Sequence, residues 1–339
     1  MMELLLYLGI VVVATAMVWR GSDWLETASQ QLSLAYGLPP AVHGAVVVAV
    51  GSSFPELSST VLSTLVHGEF ELGLSAVIGS AIFNILVISG LSGLFSRQQL
   101  KANLELVYKE AQFYLTSVAT LLCTMALAVV YAPVPGKALT GTLHWGLALV
   151  PLALYGLYLF LQQQSTSEYE TDEDGAHIDR RRNWLKLLGS LLLIVVGVEG
   201  LVRAALFFGE FFNTPSFLWG ILVIASVTSV PDALVSVRLA RSGFGIPSLS
   251  NVLGSNIFDL LVAVPAGVLV AGSAQIDLGI ALPMMVFLSL ATLQLFVSLR
   301  NKLSLNRLES WLLLGSYGVF VVWIVLETVG VMSILDRAT

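Results

Sequence analysis

Charge is scarce in this chain of 339 residues: only 11% are Asp, Glu, Lys or Arg, against about 25% in an ordinary soluble domain. A water-facing surface for a protein of this size cannot be covered with so few. There is a single cysteine, Cys123, so no intrachain disulfide can form. The four histidines are dispersed, which excludes a His/Cys cage for a soft metal. A basic stretch is missing from Met1-Met2-Glu3, so the first apolar run reads as a retained span and not a cleaved signal. What the chain has in excess is apolar. Hydrophobic residues make up 56% and the mean hydropathy is +0.87. A bilayer explains both facts, because a charge at the middle of a span costs roughly 2.5–3.5 kcal/mol.

Apolar segments of helical length fall at about 3–20, 38–66, 70–96, 107–131, 140–162, 184–206, 214–238, 245–272, 276–299 and 308–332. Most exceed the roughly 20 residues needed to cross a hydrocarbon core. The expected fold is therefore an all-α polytopic membrane protein with ten spans. Basic residues sort by side on this count. Arg97, Lys101, Lys109, Arg180, Arg181, Arg182, Lys186, Arg238, Arg241, Arg300, Lys302 and Arg307 fall on one side, Lys137 and Arg337 on the other. Arg20 and Arg203 sit at or near span ends. Such a bias marks the cytoplasmic side and puts the N-terminus outside, in a cell (inner) membrane. The longest polar stretch, Gln162 to Asn183, carries Glu168, Glu170, Asp172, Glu173 and Asp174. It reads as a solvated cytoplasmic linker. The expected units are residues 1–163, a linker at 164–182, and residues 183–339.

The two halves repeat. Ser52-Ser53-Phe54-Pro55-Glu56 aligns with Thr228-Ser229-Val230-Pro231-Asp232, an offset of 176. Gly79-Ser80-Ala81-Ile82-Phe83-Asn84 aligns with Gly254-Ser255-Asn256-Ile257-Phe258-Asp259 at 175, and Gly21 to Leu25 with Gly197 to Leu201 at 176. Five spans per half is an odd number, so the second half enters the membrane from the opposite side. Inverted five-helix repeats of this kind recur in secondary transporters, with the site where the repeats meet.

Glu56, Asp232 and Asp259 lie inside spans, and no Lys or Arg lies at comparable depth. Intramembrane carboxylates are expensive and mark ion pathways. Pro55 and Pro231 each remove a backbone N–H and loosen the preceding turn, and Gly51 loosens span two further. The freed carbonyls, with the hydroxyls of Ser52, Ser53, Thr228 and Ser229, are hard oxygen donors of the kind that suits Na⁺ and Ca²⁺. Gly79 and Gly254 are expected to permit close helix approach. Ser80 and Asn84 share a helix face, as do Ser255 and Asp259, and each pair is expected to face a proline break. Asp23 and Glu199 read as structural partners of Arg20 and Arg203. His43 reads as a polar interface residue, and His67, His144 and His177 as loop or span-edge residues.

These paired motifs resemble the α-repeats of the cation/Ca²⁺ exchanger superfamily, the group containing Na⁺/Ca²⁺ exchangers, and specifically a compact prokaryotic form. The resemblance implies Glu56 and Asp232 as central ligands, Ser52 and Thr228 as carbonyl and hydroxyl donors, and Asn84 and Asp259 lining the middle. It also implies flanking Na⁺ sites completed by Ser53, Ser229, Ser80 and Ser255 with the carbonyls of Ala49 and Ala225. Where the family has glycine before the second Thr-Ser, this chain has Val227, which is expected to stiffen or reshape that break. The implied activity is exchange of Ca²⁺ for Na⁺ by alternating access, with no cofactor. The ions and the lipid bilayer are the expected partners, and nucleic acid is not. Proton-coupled exchange of Ca²⁺ or another divalent, and K⁺ co-transport, stay open at this point. A passive channel fits the inverted repeats poorly. An enzyme is not expected, because no His or Lys adjoins the serines in sequence.

Overall fold

A computed structural model describes residues 2–36, 49–97, 99–165, 179–300 and 302–328. Its helices are α1 Met2–Ala35, α2 Ala49–Leu65, α3 Phe70–Phe95, α4 Leu106–Tyr131 and α5 Trp145–Ser165. The second half supplies α6 Arg180–Phe211, α7 in two pieces (Ser216–Thr228 and Val230–Arg241), α8 Gly245–Ala271, α9 Leu278–Arg300 and α10 Arg307–Thr328. Among the described residues eight of these are long and apolar enough to span, and the bent α7 makes a ninth. The tenth is span two, of which α2 is the described part. The ten-helix, two-repeat architecture follows. His43, His177 and the acids of the linker lie outside the described residues.

Burial orders the layers. Helices α3 and α8 are surrounded by protein, whereas α1, α5 and α10 turn apolar faces outward through residues such as Val12, Phe160 and Val319. The outermost helices are the ones that lipid must solvate. Helix α1 runs past the apolar stretch that marks the span, to Ala35. Residues 21–35 are too polar to register as membrane, yet Gly21, Leu25, Ala28, Leu32 and Ala35 keep one buried helical face. At 1.5 Å per residue the helix is about 51 Å long, well beyond the roughly 30 Å hydrocarbon core. It packs along α6, and the crossing uses the repeated glycines. A Cβ on Gly21 would stand 2.6 Å from Ile194 Cγ1, and one on Gly197 would stand 3.0 Å from Val18 Cγ2.

Two short ribbons correct the expected span limits. β2 Thr140–His144 pairs antiparallel with β3 Ser273–Asp277, and β1 Leu100–Lys101 pairs with β4 Ser304–Leu305. Residues 140–144 and 276–277 were expected to be helical. Thr140, Thr142 and Ile276 are β-branched, and the pairing satisfies their backbone groups across the repeats. By the inverted topology one ribbon sits on each face and each ties one repeat to the other. At α10 the start is capped reciprocally: Asn306 Oδ1 accepts from Glu309 N at 2.9 Å, and Glu309 Oε2 accepts from Asn306 N at 2.8 Å.

The two prolines act differently. Helix α2 continues through Pro55. Helix α7 bends by 44° at Ser229, just before Pro231. The proline ring presses on the carbonyl four residues earlier, which belongs to Gly51 in one half and Val227 in the other. A glycine backbone tilts to accommodate the ring; β-branched Val227 yields less, and the chain turns at Ser229.

Candidate cation site

Glu56 lies on the fully helical α2, and Asp232 in the first turn after the α7 bend. Both are buried, with relative exposures of 1% and 2%. Each is held by a serine of its own repeat. Ser80 Oγ donates to Glu56 Oε1 at 3.2 Å, and Ser255 Oγ donates to Asp232 Oδ2 at 2.6 Å. Ser80 and Ser229 share a hydrogen bond of 2.7 Å, and Ser53 and Ser255 one of 3.0 Å. A hydroxyl has one proton to give. Ser229 therefore donates to Ser80, which donates to Glu56, and Ser53 donates to Ser255, which donates to Asp232. The same chain of hydroxyls appears twice, and each crosses from one repeat to the other. Ser52 joins the second at 3.1 Å from Ser255. Thr228 turns its proton to the carbonyls of Ile224 and Ala225, at 3.0 and 3.3 Å.

Several oxygens in this buried region have no hydrogen-bond donor: Glu56 Oε2, Asp232 Oδ1, both carboxylate oxygens of Asp259, and Asn84 Oδ1. Asn84 and Asp259 are fully buried, and Asp259 lies within electrostatic reach of both Glu56 and Asp232. Among the described residues none of the three acids forms an ion pair, and no three His, Cys, Asp or Glu side chains approach closely enough to hold a metal alone. The donor set is mixed, with carboxylate, amide and hydroxyl oxygens converging. Local backbone assists. Asn84–Ile88 and Asp259–Ala263 are π turns at matching positions in the two halves. Such turns wrap one extra residue into a helix and recur at functional sites.

Inverted repeats that meet around buried carboxylates follow the plan of secondary transporters. The profile of the family described as "Sodium/calcium exchanger protein" matches residues 6–163 and 182–326. The chain belongs to the sodium/calcium exchanger family. "Sodium/calcium exchanger MaX1" of Methanosarcina acetivorans is 26% identical over 351 residues, covering 94% of this chain and 97% of that protein. "Inner membrane protein YrbG" of Escherichia coli is 26% identical, covering 76% and 78%. Solved structures of the sodium-calcium exchanger NCX_Mj share the fold. One, soaked with 100 mM Na⁺ and 10 mM Sr²⁺, superposes with a TM-score of 0.63 at 22% identity over 94% of this chain and 98% of that one.

In this exchanger most residues singled out from sequence fall into two hydrogen-bonded groups: Glu56, Ser80 and Ser229 form one, and Asp232, Ser255, Ser53 and Ser52 form the other. Ala225, expected to lend its carbonyl, lies one turn before Ser229. Its carbonyl already accepts Ser229 N at 3.1 Å as well as the Thr228 hydroxyl. Ala49 opens the described part of α2. The carbonyls that the prolines leave without their usual partners are those of Gly51 and Val227. Gly79 makes the expected close approach, with a built Cβ 2.9 Å from Ala225 Cβ and 3.0 Å from Ile221 Cα, while Gly254 meets no described atom within 4 Å. Asp23 pairs with Arg20 at 3.6 Å, and Glu199 with Arg203 at 2.6 Å and with His67 at 3.1 Å. Sequence reasoning passed over two buried groups in the same core, Asn256 and Tyr114. Asn256 stands inside the second motif, three residues before Asp259, where helical spacing could have flagged it. Tyr114 is one of three tyrosines in span four, and nothing in the sequence sets it apart.

Proposed function

We propose that this exchanger moves Ca²⁺ against Na⁺ by presenting the Glu56–Asp232 site to one side of the bilayer and then the other. The observation that carries the reading is the set of buried carboxylate oxygens without donors or counter-charges. An uncompensated charge inside protein costs several kcal/mol, so the acids require cations to stay ionised. One Ca²⁺ or several Na⁺ neutralise them, and the two cargoes exclude each other. If the empty site cannot reorient, the two fluxes are coupled. Glu56 and Asp232 serve as central ligands. Ser52, Ser53, Thr228, Ser229, Ser80 and Ser255 serve as hydroxyl donors, and Asn84 and Asp259 line the middle. The roles of the Ala49 and Ala225 carbonyls are carried by family resemblance alone. The relative from Methanosarcina, aligned over nearly its whole length, is named a sodium/calcium exchanger, which supports these two ions as the cargo.

The test is uptake of radiolabelled Ca²⁺ into proteoliposomes loaded with Na⁺ and diluted into Na⁺-free buffer. Uptake is expected to require internal Na⁺, and repeating it with and without K⁺ reads whether K⁺ is co-transported. Uptake indifferent to Na⁺ but driven by a pH gradient would move the coupling to protons.

The two halves, 1–163 and 183–339, are proposed as the inverted units, with a cytoplasmic linker and the N-terminus outside the cell membrane. The division of the family match at 163 and 182 supports this. Cys123 is the only cysteine, so a Cys123→Ala background suits single-cysteine labelling. An impermeant maleimide added to intact cells should label Lys137→Cys and spare Arg181→Cys. The reverse pattern would invert the topology.

A further inference from the structure

We propose that Asn256 is a positioning residue that sets the hydrogen-bond polarity of the cation site. It aims the Asn84 side-chain oxygen at the ions and makes position 84 unfit for a carboxylate. The proposal rests on reading this core as the cation site.

The polarity is fixed by a backbone atom. The carbonyl oxygen of Ala81 can only accept, and the group 3.1 Å from it is Asn256 Nδ2. The same Nδ2 lies 3.2 Å from the Tyr114 hydroxyl. Both protons of the amide nitrogen are thereby directed, and Asn256 Oδ1 must face the other way. It meets Asn84 Nδ2 at 2.9 Å. An amide carries its oxygen opposite its nitrogen, so Asn84 Oδ1 points away from Asn256. That oxygen is buried and has no donor. It sits one helical turn after Ser80, whose hydroxyl holds Glu56. Every member of this chain is fully buried: Asn84, Asn256, Ala81 and Tyr114.

The arrangement also explains why the repeats differ here. Ala81 and Asn256 are counterparts at the 175 offset, as are Asn84 and Asp259. Asn256 thus bonds across the pseudo-twofold axis to the backbone of its own counterpart. With the amide nitrogen committed to Ala81, its oxygen faces span three, and residue 84 must donate. Asparagine can donate; an ionised aspartate cannot. Asp259 has no such amide partner: the Ser53 hydroxyl faces it, and neither carboxylate oxygen is held in a formed hydrogen bond. The site therefore holds carboxylates at 56, 232 and 259 and a neutral oxygen at 84.

The test uses purified full-length protein, with Ca²⁺ affinity read from the Ca²⁺ dependence of the melting temperature, Na⁺ competition read the same way, and exchange measured in proteoliposomes. Asn84→Ala and Asn256→Ala should each weaken Ca²⁺ about tenfold, the loss of one oriented hydrogen-bonding group. The double variant should be no weaker than Asn84→Ala, because Asn256 acts through the oxygen already removed. Additive losses would assign Asn256 a general packing role and overturn the proposal. Asn84→Asp gives an independent sign. Added negative charge alone predicts tighter Ca²⁺, whereas opposing acceptors at 84 and 256 predict weaker binding. A folded Asn84→Asp that binds Ca²⁺ more tightly would also overturn it, and this arm stands even if Asn256→Ala does not fold. A wild-type protein whose melting is unmoved by both Ca²⁺ and Na⁺ would instead overturn the cation-site reading itself.

Discussion

Glu56→Gln is expected to reduce Na⁺-dependent Ca²⁺ uptake by about 100-fold or more while leaving a folded protein. The substitution keeps the shape of the side chain and an acceptor for Ser80, which donates to Glu56 at 3.2 Å. It removes the charge from a side chain with 1% relative exposure. Interactions with a charged group in a desolvated site reach about 3 kcal/mol, or roughly 100-fold in affinity. The same change should raise the melting temperature without cations, because a buried acid lacking a counter-charge is destabilising. Wild type should then gain stability as Ca²⁺ is added, by RT ln(1 + [Ca²⁺]/Kd), and the variant should gain far less. Scanning calorimetry across a Ca²⁺ series reads both effects. A variant that still transports at near wild-type rate would exclude Glu56 as a central ligand. Loss of transport together with a lower cation-free melting temperature would point to damaged folding in place of a lost ligand.

The second large effect is expected at Gly79. A methyl group there would stand 2.9 Å from Ala225 Cβ and 3.0 Å from Ile221 Cα. Neither obstacle is the flexible end of a side chain, so α7 must move away from α3. The next residue, Ser80, holds Ser229 at 2.7 Å across that same contact, and the relay to Glu56 would open with it. Gly79→Ala should cost about 1–3 kcal/mol by overpacking and lower exchange about tenfold or more, from the few tenths of an ångström the relay must stretch. Gly79→Leu should prevent stable folding. Ser80→Ala separates the two contributions. It removes the hydroxyl without moving α7, so it should lower exchange while costing less stability than Gly79→Ala. If Gly79→Ala exchanges normally, the tight α3–α7 contact is not needed for the site.

How much of this was legible in the sequence follows from the kind of physics involved. Spans could be read because hydrocarbon penalises charge, and that penalty is written into composition residue by residue. The inverted repeat could be read because it is a pattern in order, and the carboxylates at 56, 232 and 259 because an acid at that depth has few uses other than handling cations. The hydroxyls at 52, 53, 80, 229 and 255 came with them through the repeated motifs and the family resemblance.

What the sequence could not supply concerned groups that meet only when helices pack. The direction of each hydroxyl proton depends on the partner across the repeat interface, so the relays through Ser80 and Ser255 were invisible. Pro55 and Pro231 look equivalent in the chain, but α2 runs through one and α7 bends before the other. Residues 140–144 adjoin the apolar run of span five and pass as its first turn until residues 273–277 arrive beside them from the other half. Asn256 reads as one more polar residue in a helix until the Ala81 carbonyl, 175 positions away, commits its amide. The sequence by itself determined that this chain crosses a bilayer as two inverted halves around acidic residues, because hydropathy and repetition are properties of order. Only the tertiary structure decided which oxygens those acids leave open to a cation, because hydrogen-bond polarity is a property of neighbours.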